Sequence, residues 1–473
     1  MNDKNNLQKL NRRDFLKKSS IGTGLIIVPG YVIGTSYMQI SPANRINVAI
    51  VGVGGRGQIA AIKSRSHNVV ALCDVDKDRV LKARTGKARI NKQFNSAITY
   101  YEKKGARWYF DYRLMFEEMA DKIDAVIIST PNHMHFPIAL SAINLKKHVY
   151  CEAPLAHTVE EARMLSRAAR NNGVITQMGN EGYSNSSTAF IKEMLQTGLL
   201  GQVRDVYSWT NKSAIWWKQG EPIPGYSRIA SHIPGTLNWD LWLGIAPPRS
   251  YDPGLIPVNW RINNDFGNGV IGDLGCHMMD TAYWGLDLQA PDEIKASTIM
   301  NNCYPFPVSS VITYKFPSRN GKPPVTLHWH EGGMPPAFPD SLKTAHIINE
   351  NYRFNGNLLV GDQGLILSDV YGSNIEIYLK DGSNGWRHIK SLNAGDDDNT
   401  CHYGEFFSAL SESRKASSDF RYAGPLTEMV LLGHIAQRIM GRLKYDALKG
   451  RFINNVKAIK MLKKVYPEGW ILS

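Results

Sequence analysis

Cysteine is scarce in this chain, and the few cysteines stand far apart. Five occur in 473 residues, and no two of them form a C-x-x-C pair. An odd number of scattered thiols predicts neither a disulfide-stabilised scaffold nor a cysteine metal site. Asp273 and His277 have side chains that can bind zinc, but no third ligand stands at a metal-binding spacing from them. The sequence therefore predicts no metal centre.

The chain also has no arginine-rich arm, no zinc-finger spacing and no strongly basic helix. Its formal net charge is +13, and six basic and two acidic side chains in residues 1–40 supply +4 of this, which leaves +9. That remainder is modest for this length, so we expect no nucleic-acid partner. The composition is 43% hydrophobic, without an internal repeat or a long charged tract. A globular protein of two domains is the expectation.

The first 40 residues differ from the rest of the chain. Asn11-Arg12-Arg13-Asp14-Phe15-Leu16-Lys17 precedes an apolar, glycine-containing stretch at 21–33. This pattern is typical of a twin-arginine export signal, and the apolar stretch is short for a membrane span. We expect residues 1–40 to be an export signal and linker of a periplasmic protein with no stable membrane insertion after export. A retained membrane anchor stays an alternative, because no small-x-small cleavage site is evident.

A glycine-rich loop is the most informative motif. The strand-like run 46–51 leads into Gly52, Gly54, Gly55, Arg56 and Gly57, and a helix-compatible stretch follows at 58–63. In the pattern G-x-G-x-x-G, the glycines permit a tight turn, close approach of a pyrophosphate, and close packing of helix on strand. The alternative is a glycine turn inside an ordinary α/β unit.

An acidic residue supports the nucleotide interpretation of this loop. A second strand-like run, 69–73, ends at Asp74, which stands at the spacing where an acid meets the adenosine ribose. A carboxylate there accepts hydrogen bonds from the ribose hydroxyls and repels a 2′-phosphate, so the predicted cofactor is NAD rather than NADP. Asp76 is the weaker alternative for this role.

The order of strand and helix patterns divides the chain. Strand and helix patterns alternate through residue 178, and the buried run 124–129 ends in a loop that begins Thr130-Pro131-Asn132. Later strand-like segments follow one another without regular helices. The predicted fold class is α/β plus α+β: a Rossmann doubly wound parallel sheet at 44–178, and a domain at 179–473 built on a large, mostly antiparallel open-faced sheet.

Asp273 and His277 are candidates for proton transfer. Their i, i+4 spacing puts both on one face of a helix. Oxidation of a secondary alcohol requires its hydroxyl proton to leave, and a histidine that titrates near neutral pH suits this task. We expect His277 to be the base and Asp273 its partner. The alternative is structural, with Asp273 capping a helix N-terminus.

Aromatic residues are dense between 209 and 260. A pyranose has an apolar C–H face that can stack on indole, so we expect a substrate wall from tryptophans with charged neighbours: Trp216, Trp217, Trp260 and Arg261. Core packing is the alternative for most tryptophans here. His232, in a loop-like stretch, is a further candidate for substrate binding.

These motifs, in this order, resemble the signature of the Gfo/Idh/MocA oxidoreductases. The resemblance rests on the glycine loop, Asp74, Thr130-Pro131-Asn132 with His135, and the segments 151–155, 177–180, 272–277 and 422–428. It implies NAD(P) held between a nucleotide domain and an open-faced sheet domain, and hydride exchange with a sugar or related polyol. It also implies a homo-oligomer, either a dimer or a tetramer.

The resemblance also implies roles for individual residues. It assigns Asp273 and His277 to substrate contact and proton transfer. It places a set of further residues at the cofactor: Thr130, Pro131, Asn132, His135, Glu152 and Gln177. For Glu152 the alternative is a buried carboxylate at the end of a strand, paired with a backbone donor.

One position departs from the family pattern. The family usually has Glu-Lys-Pro where this chain has Glu152-Ala153-Pro154, and that lysine normally donates to the reacting hydroxyl. Ala153 cannot carry a proton. Three explanations stay open: an engineered inactive variant, a natural variant with another base, and a sugar-binding protein without catalysis.

The predicted function is therefore an exported NAD-dependent oxidoreductase. It would oxidise a ring secondary hydroxyl of a sugar or glycoside to a keto-sugar by hydride transfer to tightly bound NAD. One alternative is an NAD-dependent glycosidase that uses transient oxidation and elimination. An alternative of another class is a non-catalytic sugar-binding protein that retains NAD.

Overall fold

The computed structural model describes most of the chain between residues 45 and 470. The described residues are 45–184, 186–213, 231–300, 306–338, 342, 347–348, 352–382, 385–393 and 400–470. All of these described residues belong to one compact unit. The expected export signal with Arg12 and Arg13 lies outside the described residues, as do Trp216 and Trp217. Among the helices that are described, none combines the length and apolar character needed to cross a membrane.

Six parallel strands form the first sheet. They are β1 (Asn47–Val51), β2 (Asn68–Cys73), β3 (Arg107–Tyr109), β4 (Ala125–Ile128), β5 (His148–Glu152) and β6 (Thr176–Gly179), in the spatial order β3-β2-β1-β4-β5-β6. All neighbouring pairs are parallel. All four residues of β4 are buried, as is typical of a strand covered on both faces. This arrangement confirms the predicted doubly wound sheet.

Helices connect the strands of this sheet. They are α1 (Gly57–Lys63), α2 (Lys77–Thr85), α3 (Arg89–Lys103), α4 (Tyr112–Met119), α5 (Asn132–Asn144) and α6 (Val159–Asn172). A capping box begins α6: the Thr158 hydroxyl accepts from the Glu161 N–H at 3.3 Å, and Glu161 Oε2 accepts from the Thr158 N–H at 2.9 Å. Gly173, with φ of +66°, follows the end of this helix.

The second sheet has ten strands. They are β7 (Val203–Thr210), β8 (Glu293–Ile299), β9 (Ser309–Phe316), β10 (Val325–Glu331), β11 (Asn355–Gly361), β12 (Gly364–Ser368), β13 (Asn374–Asp381), β14 (Gly385–Asn393), β15 (Gly441–Asp446) and β16 (Arg451–Phe452). Their spatial order is β14-β13-β12-β11-β7-β10-β9-β8-β15-β16. The β7–β10 pair is parallel, and the other described pairs are antiparallel. The predicted mostly antiparallel sheet is confirmed.

Further helices follow β6, and two of them pack against the first sheet and its helices. The further helices are α7 (Ser186–Gln196), α8 (Trp239–Leu243), α9 (Gly269–Met278), α10 (Asp280–Gly285), α11 (Thr400–Ser411), α12 (Phe420–Ile439) and α13 (Val456–Lys460). Tyr403 and Phe406 of α11 are buried in the same core as β1 and β4. Arg163 of α6 pairs with Glu428 of α12 at 2.5 Å. Residues that follow β14 in sequence thus contribute to the core of the first sheet.

Candidate active site

A cleft of about 300 Å³ opens at the carboxyl ends of the parallel strands, where ligands of doubly wound sheets bind. Predicted site residues from both halves of the chain line it: Gly52, Gly55, Arg56, Asp74, Thr130, Pro131, Asn132, His135, Glu152, Ala153, Trp260, Arg261, Asp273 and His277. Four other predicted residues that the structure describes do not line it: Gly54, Gly57, Gln177 and His232. No cluster suited to a metal ion occurs among the described residues.

The glycine loop has a backbone path that side chains would block. Gly52 has φ of +85°, and a Cβ atom there would lie 2.7 Å from the carbonyl carbon of Ser129. A Cβ atom at Gly57 would lie 2.0 Å from the carbonyl oxygen of Gly52. Both distances are far below van der Waals contact, so only glycine permits this turn and the close packing of α1 on β1. The loop has the geometry that a pyrophosphate-binding turn requires.

The Asp74 carboxylate holds this loop in place. Its Oδ2 accepts hydrogen bonds from the N–H groups of Val53 and Gly54 at 2.7 and 2.8 Å, and its Oδ1 accepts from the Asp76 N–H at 3.0 Å. Burial raises the pKa of Asp74, and these three donors oppose the rise because they favour the ionised form. Asp74 also lines the cleft, where the sequence predicts the adenosine ribose. Asp76 caps α2 by accepting from the Arg79 N–H at 3.1 Å.

A charged cluster lies at the other end of the cleft. Glu152, at the end of β5, is only 8% exposed, and its Oε1 accepts from the Tyr403 hydroxyl at 2.7 Å. Arg56 of the glycine loop lies with its Nε 3.6 Å from the same oxygen and also pairs with Glu181. Burial raises the pKa of Glu152, whereas Arg56 and the Tyr403 hydroxyl oppose that rise. Sequence reasoning missed Tyr403 and Glu181, and it gave Arg56 no ion-pair partner.

His135 and Asn132 join neighbouring loops. His135 is buried between two carbonyl oxygens, with Nδ1 2.8 Å from that of Pro154 and Nε2 2.9 Å from that of Thr130. Asn132, at the start of α5, donates to Asn268 Oδ1 at 3.2 Å. These contacts fix the loops after β4 and β5 relative to each other and to the start of α9. The side chains therefore shape the cleft.

Gln177 has a different environment from the one expected. It is fully buried in β6, and its Nε2 donates to the His402 carbonyl oxygen at 2.8 Å. Its side chain thus ties β6 to α11 instead of forming part of the cleft wall.

Asp273 and His277 lie on α9, one turn apart, and both line the cleft. The alternative role of Asp273 as a helix cap is wrong, because α9 begins four residues earlier, at Gly269. Arg261 donates from Nε to Asp273 Oδ1 at 3.0 Å. Burial lowers the pKa of His277 to about 4, and the Asp273 charge opposes this shift. The imidazole is therefore neutral near pH 7, and its buried Nδ1 has no hydrogen-bond partner among the described residues.

Tyr371 lies beside His277. It belongs to the loop between β12 and β13, and its ring stands edge-on to the imidazole with 5.6 Å between ring centroids. It also lines the cleft. No local motif marks Tyr371 in the sequence, so the sequence analysis missed this residue.

Three tryptophans belong to one buried cluster, and two of them, Trp242 and Trp260, also line the cleft. Trp260 lines the cleft, and the Arg261 guanidinium lies 4.3 Å from its ring. Trp239 and Trp242 stack on each other with 4.9 Å between ring centroids, inside a buried hydrophobic cluster. Trp242 also lines the cleft, and Trp260 belongs to the same buried cluster, so core packing alone describes only Trp239. His232 is exposed and away from the cleft.

Comparisons with known proteins agree with this architecture. Residues 46–180 match the model of an oxidoreductase family with an NAD-binding Rossmann fold, and residues 184–316 match the C-terminal α/β domain of the same family. Together these matches cover more than half of the chain.

Named relatives share part of their length with this chain. A glycosyl hydrolase family 109 protein of Solibacter usitatus is 27% identical over 261 residues, which are 52% of this chain and 56% of the relative. Levoglucosan dehydrogenase of Pseudarthrobacter phenanthrenivorans is 28% identical over 173 residues, 36% of this chain and 35% of the relative. The chain thus spans between about a third and just over half of these curated relatives.

A solved structure has a similar fold. Levoglucosan dehydrogenase in complex with NADH and levoglucosan superposes with a TM-score of 0.57 at 15% identity, over 85% of this chain and 99% of that one. At this identity the likeness concerns the fold. With the matched domains and the cleft geometry, it leads to one conclusion: the chain belongs to the Gfo/Idh/MocA oxidoreductase family, and its first domain binds NAD.

Proposed function

We propose that this protein oxidises a secondary ring hydroxyl of a sugar or glycoside to a ketone, with NAD as the hydride acceptor. The observation that carries the proposal is the position of His277. This neutral imidazole lines the same cleft as the glycine loop and Glu152, and its buried Nδ1 has no partner in the described part of the chain. A proton acceptor beside a nucleotide site is what oxidation of an alcohol requires.

The positions of the cleft residues indicate the direction in which NAD would lie. The glycine loop would hold the pyrophosphate, and Asp74 would hold the adenosine ribose. Glu152 and Asn132 would contact the nicotinamide ribose or its surroundings. Asp74 follows β2 and Glu152 is the last residue of β5; these strands are three strand spacings apart, or about 14 Å at about 4.8 Å per spacing. The bound nicotinamide supplies the hydride acceptor.

His277 is the group that would take the proton of the hydroxyl. Its pKa of about 4 leaves the imidazole unprotonated at neutral pH, which is the form that a base needs, while burial makes it a weaker base than a free imidazole. Asp273, one helical turn away, would stabilise the imidazolium that forms, and Arg261 holds this carboxylate at 3.0 Å. A positioned general base contributes about 10²–10⁴-fold to the rate. No step needs a lysine at position 153.

Trp260 gives the cleft a surface suited to a sugar ring. Its indole lines the cleft, and its neighbour Arg261 offers hydrogen-bond donors beside it. Indole stacks on the C–H face of a pyranose, while charged and polar groups bind the hydroxyl rim. This combination favours a carbohydrate over an aliphatic alcohol.

A second candidate is cleavage of a glycoside through transient oxidation. The similarity to a glycosyl hydrolase family 109 protein favours it. A ketone acidifies the neighbouring ring C–H, so loss of that proton expels the glycosidic substituent by elimination. Water then adds to the double bond, and return of the hydride restores the alcohol. The net change is hydrolysis without consumption of NAD.

One experiment separates these candidates. The purified protein and its Ala153→Lys variant are incubated with NAD and a panel of glycosides, and the products are analysed by mass. Loss of two hydrogens without cleavage supports the oxidoreductase, and release of the aglycone without net redox change supports the glycosidase. If both proteins bind sugar and NAD but neither converts any glycoside, the proposal fails and a binding protein is the better description.

We also propose that the protein is exported by the twin-arginine route to the periplasm. Arg12 and Arg13, followed by a short apolar stretch, support this. Replacing both arginines with lysine should leave the protein in the cytoplasmic fraction, whereas the unchanged sequence should give a periplasmic product. Equal periplasmic yield of the two forms would contradict the proposal.

A further inference from the structure

The segment after α13 runs back over the nucleotide domain. Residues 461–470, called here the return segment, follow the last described helix. Leu462 accepts a hydrogen bond at its carbonyl oxygen from the Glu160 N–H at 3.0 Å. Lys464 lies with its Nζ 3.1 Å from Glu161 Oε1 and 3.2 Å from His157 Nδ1. The start of the return segment is therefore fixed on α6.

The return segment then crosses α5. The Tyr466 hydroxyl donates to Glu161 Oε1 at 3.2 Å, and its ring stacks on Phe136 of α5 with 6.1 Å between centroids. Lys464 and Tyr466 thus bind the same carboxylate from two positions of the return segment. Such multiple contacts restrict where the following residues can lie.

Trp470 ends the described part of this segment, at the edge of the cleft. The guanidinium of Arg113 lies 4.4 Å from the indole ring, and the ring of Tyr112 lies 6.4 Å from it. Arg113 donates hydrogen bonds to the Asp111 carboxylate, from Nε at 3.0 Å and from Nη2 at 2.7 Å, and these fix the guanidinium. Trp470 is among the residues that line the cleft. The indole is therefore held in a defined place on the cleft wall.

The part of the cleft next to Trp470 is the adenosine end. Tyr112 and Asp111 follow β3, which is the edge strand next to β2, and Asp74 follows β2. Glu152 stands at the opposite end of the cleft, three strand spacings from Asp74. An aromatic ring at this position meets the purine and not the nicotinamide.

We propose that Trp470 is part of the adenine-binding subsite, so that the return segment closes the adenosine end of the cleft over the bound dinucleotide. Purines stack on indole rings, and loss of one such contact typically weakens binding about tenfold or more. The contact would slow release of the cofactor. This inference depends on NAD binding by the first domain, and it does not depend on the proposed sugar chemistry.

Fragments of the cofactor test this proposal on the full chain. We expect Trp470→Ala to weaken binding of ADP-ribose and of NADH by a similar factor, roughly tenfold, as measured by calorimetry. Binding of nicotinamide mononucleotide should stay unchanged. Trp470→Phe should recover most of the ADP-ribose affinity, because a phenyl ring can also stack on a purine. Dissociation of NADH from the Ala variant, followed by stopped-flow fluorescence, should be correspondingly faster.

A matched control separates this effect from loss of stability. Trp386 lies on β14, at the far edge of the second sheet, and does not line the cleft. Trp386→Ala should leave ADP-ribose affinity unchanged even if it lowers the melting temperature. Equal ADP-ribose affinity in the wild-type protein and Trp470→Ala would overturn the proposal. An equal loss for ADP-ribose and nicotinamide mononucleotide would also overturn it, because it would indicate a general distortion of the cleft.

Discussion

The contact between Tyr403 and Glu152 connects α11 to the cofactor cleft, and removing one oxygen atom tests it. In Tyr403→Phe the aromatic ring remains, so its stacking on Tyr150 at 4.5 Å between centroids is preserved. The hydroxyl that donates to Glu152 Oε1 at 2.7 Å is lost. Glu152 then keeps Arg56, whose Nε is 3.6 Å away, as its charged partner.

The size of the effect follows from burial and charge. Tyr403 is 1% exposed and Glu152 is 8% exposed, so water does not readily replace the lost donor. A hydrogen bond to an ionised group contributes about 1.5–3 kcal/mol. Because the Tyr403 hydroxyl lowers the pKa of Glu152, its removal raises a pKa that burial already holds above the usual range. The destabilisation is therefore greatest where Glu152 is ionised, and it diminishes as the pH falls through that raised pKa.

Thermal unfolding at two pH values measures this effect. A loss of 1 kcal/mol lowers the melting temperature by about 2–4 °C in domains of 150–250 residues and by less in larger ones, so we expect a fall of a few degrees at pH 8 and a smaller fall at pH 5. Tyr101→Phe is the matched control, because the Tyr101 hydroxyl donates to the neutral carbonyl oxygen of Ala61 at 2.5 Å. Its effect should be the same at both pH values. If Tyr403→Phe shows no greater pH dependence than this control, the reasoning about Glu152 is refuted.

Three further predictions concern the cleft and the packing of helices. His277→Asn should lower the oxidation rate by about 10²–10⁴-fold. The oxidation rate of the wild-type protein should be constant between pH 8 and 6, and it should fall as the pH approaches the His277 pKa of about 4, because the imidazole then becomes protonated. Gly52→Ala, with φ of +85° and a Cβ atom 2.7 Å from the Ser129 carbonyl carbon, should abolish NADH binding in a fluorescence titration. Arg163→Met, which leaves the 7% exposed Glu428 side chain without its ion-pair partner, should destabilise the protein by about 3 kcal/mol in denaturant unfolding.

Features determined by neighbouring residues could be predicted from the sequence. The glycine loop is one continuous turn, and the strand that leads to Asp74 begins soon after the helix that follows this turn. Their positions relative to each other follow from the right-handed βαβ connection, which leaves little freedom. The helical spacing of Asp273 and His277 is equally local, and the structure places both on α9 as expected.

Contacts between distant parts of the chain could not be predicted in this way. Tyr403 meets Glu152 across 251 residues, and Trp470 reaches the cleft because the return segment after α13 lies over α6 and α5. The pattern of a single sequence does not indicate which buried tyrosine will contact which carboxylate. The same holds for Trp239, in the core, and Trp242, which also lines the cleft, since core and binding-site tryptophans have the same local sequence pattern.

The charges around position 153 predict how the protein would respond to a lysine there, which is the residue that the family usually has. Glu152 and Glu181 pair with one guanidinium, that of Arg56, so this cluster has one more negative charge than positive when both carboxylates are ionised. Ala153 lines the cleft next to Glu152. An ammonium group introduced by Ala153→Lys would meet this uncompensated charge, whereas the Ala153→Met side chain, of similar length, would not.

The difference in melting temperature between Ala153→Lys and Ala153→Met therefore isolates the charge effect. We expect the melting temperature of Ala153→Lys, minus that of Ala153→Met, to be larger at pH 8 than at pH 5. The carboxylate of Glu152 is ionised above its raised pKa, and its attraction for the ammonium is lost as the pH falls through that value. A difference that stays constant with pH would show that the cluster has no unpaired negative charge. In that case Arg56 alone would satisfy both carboxylates, and this site would have no place for a second cation.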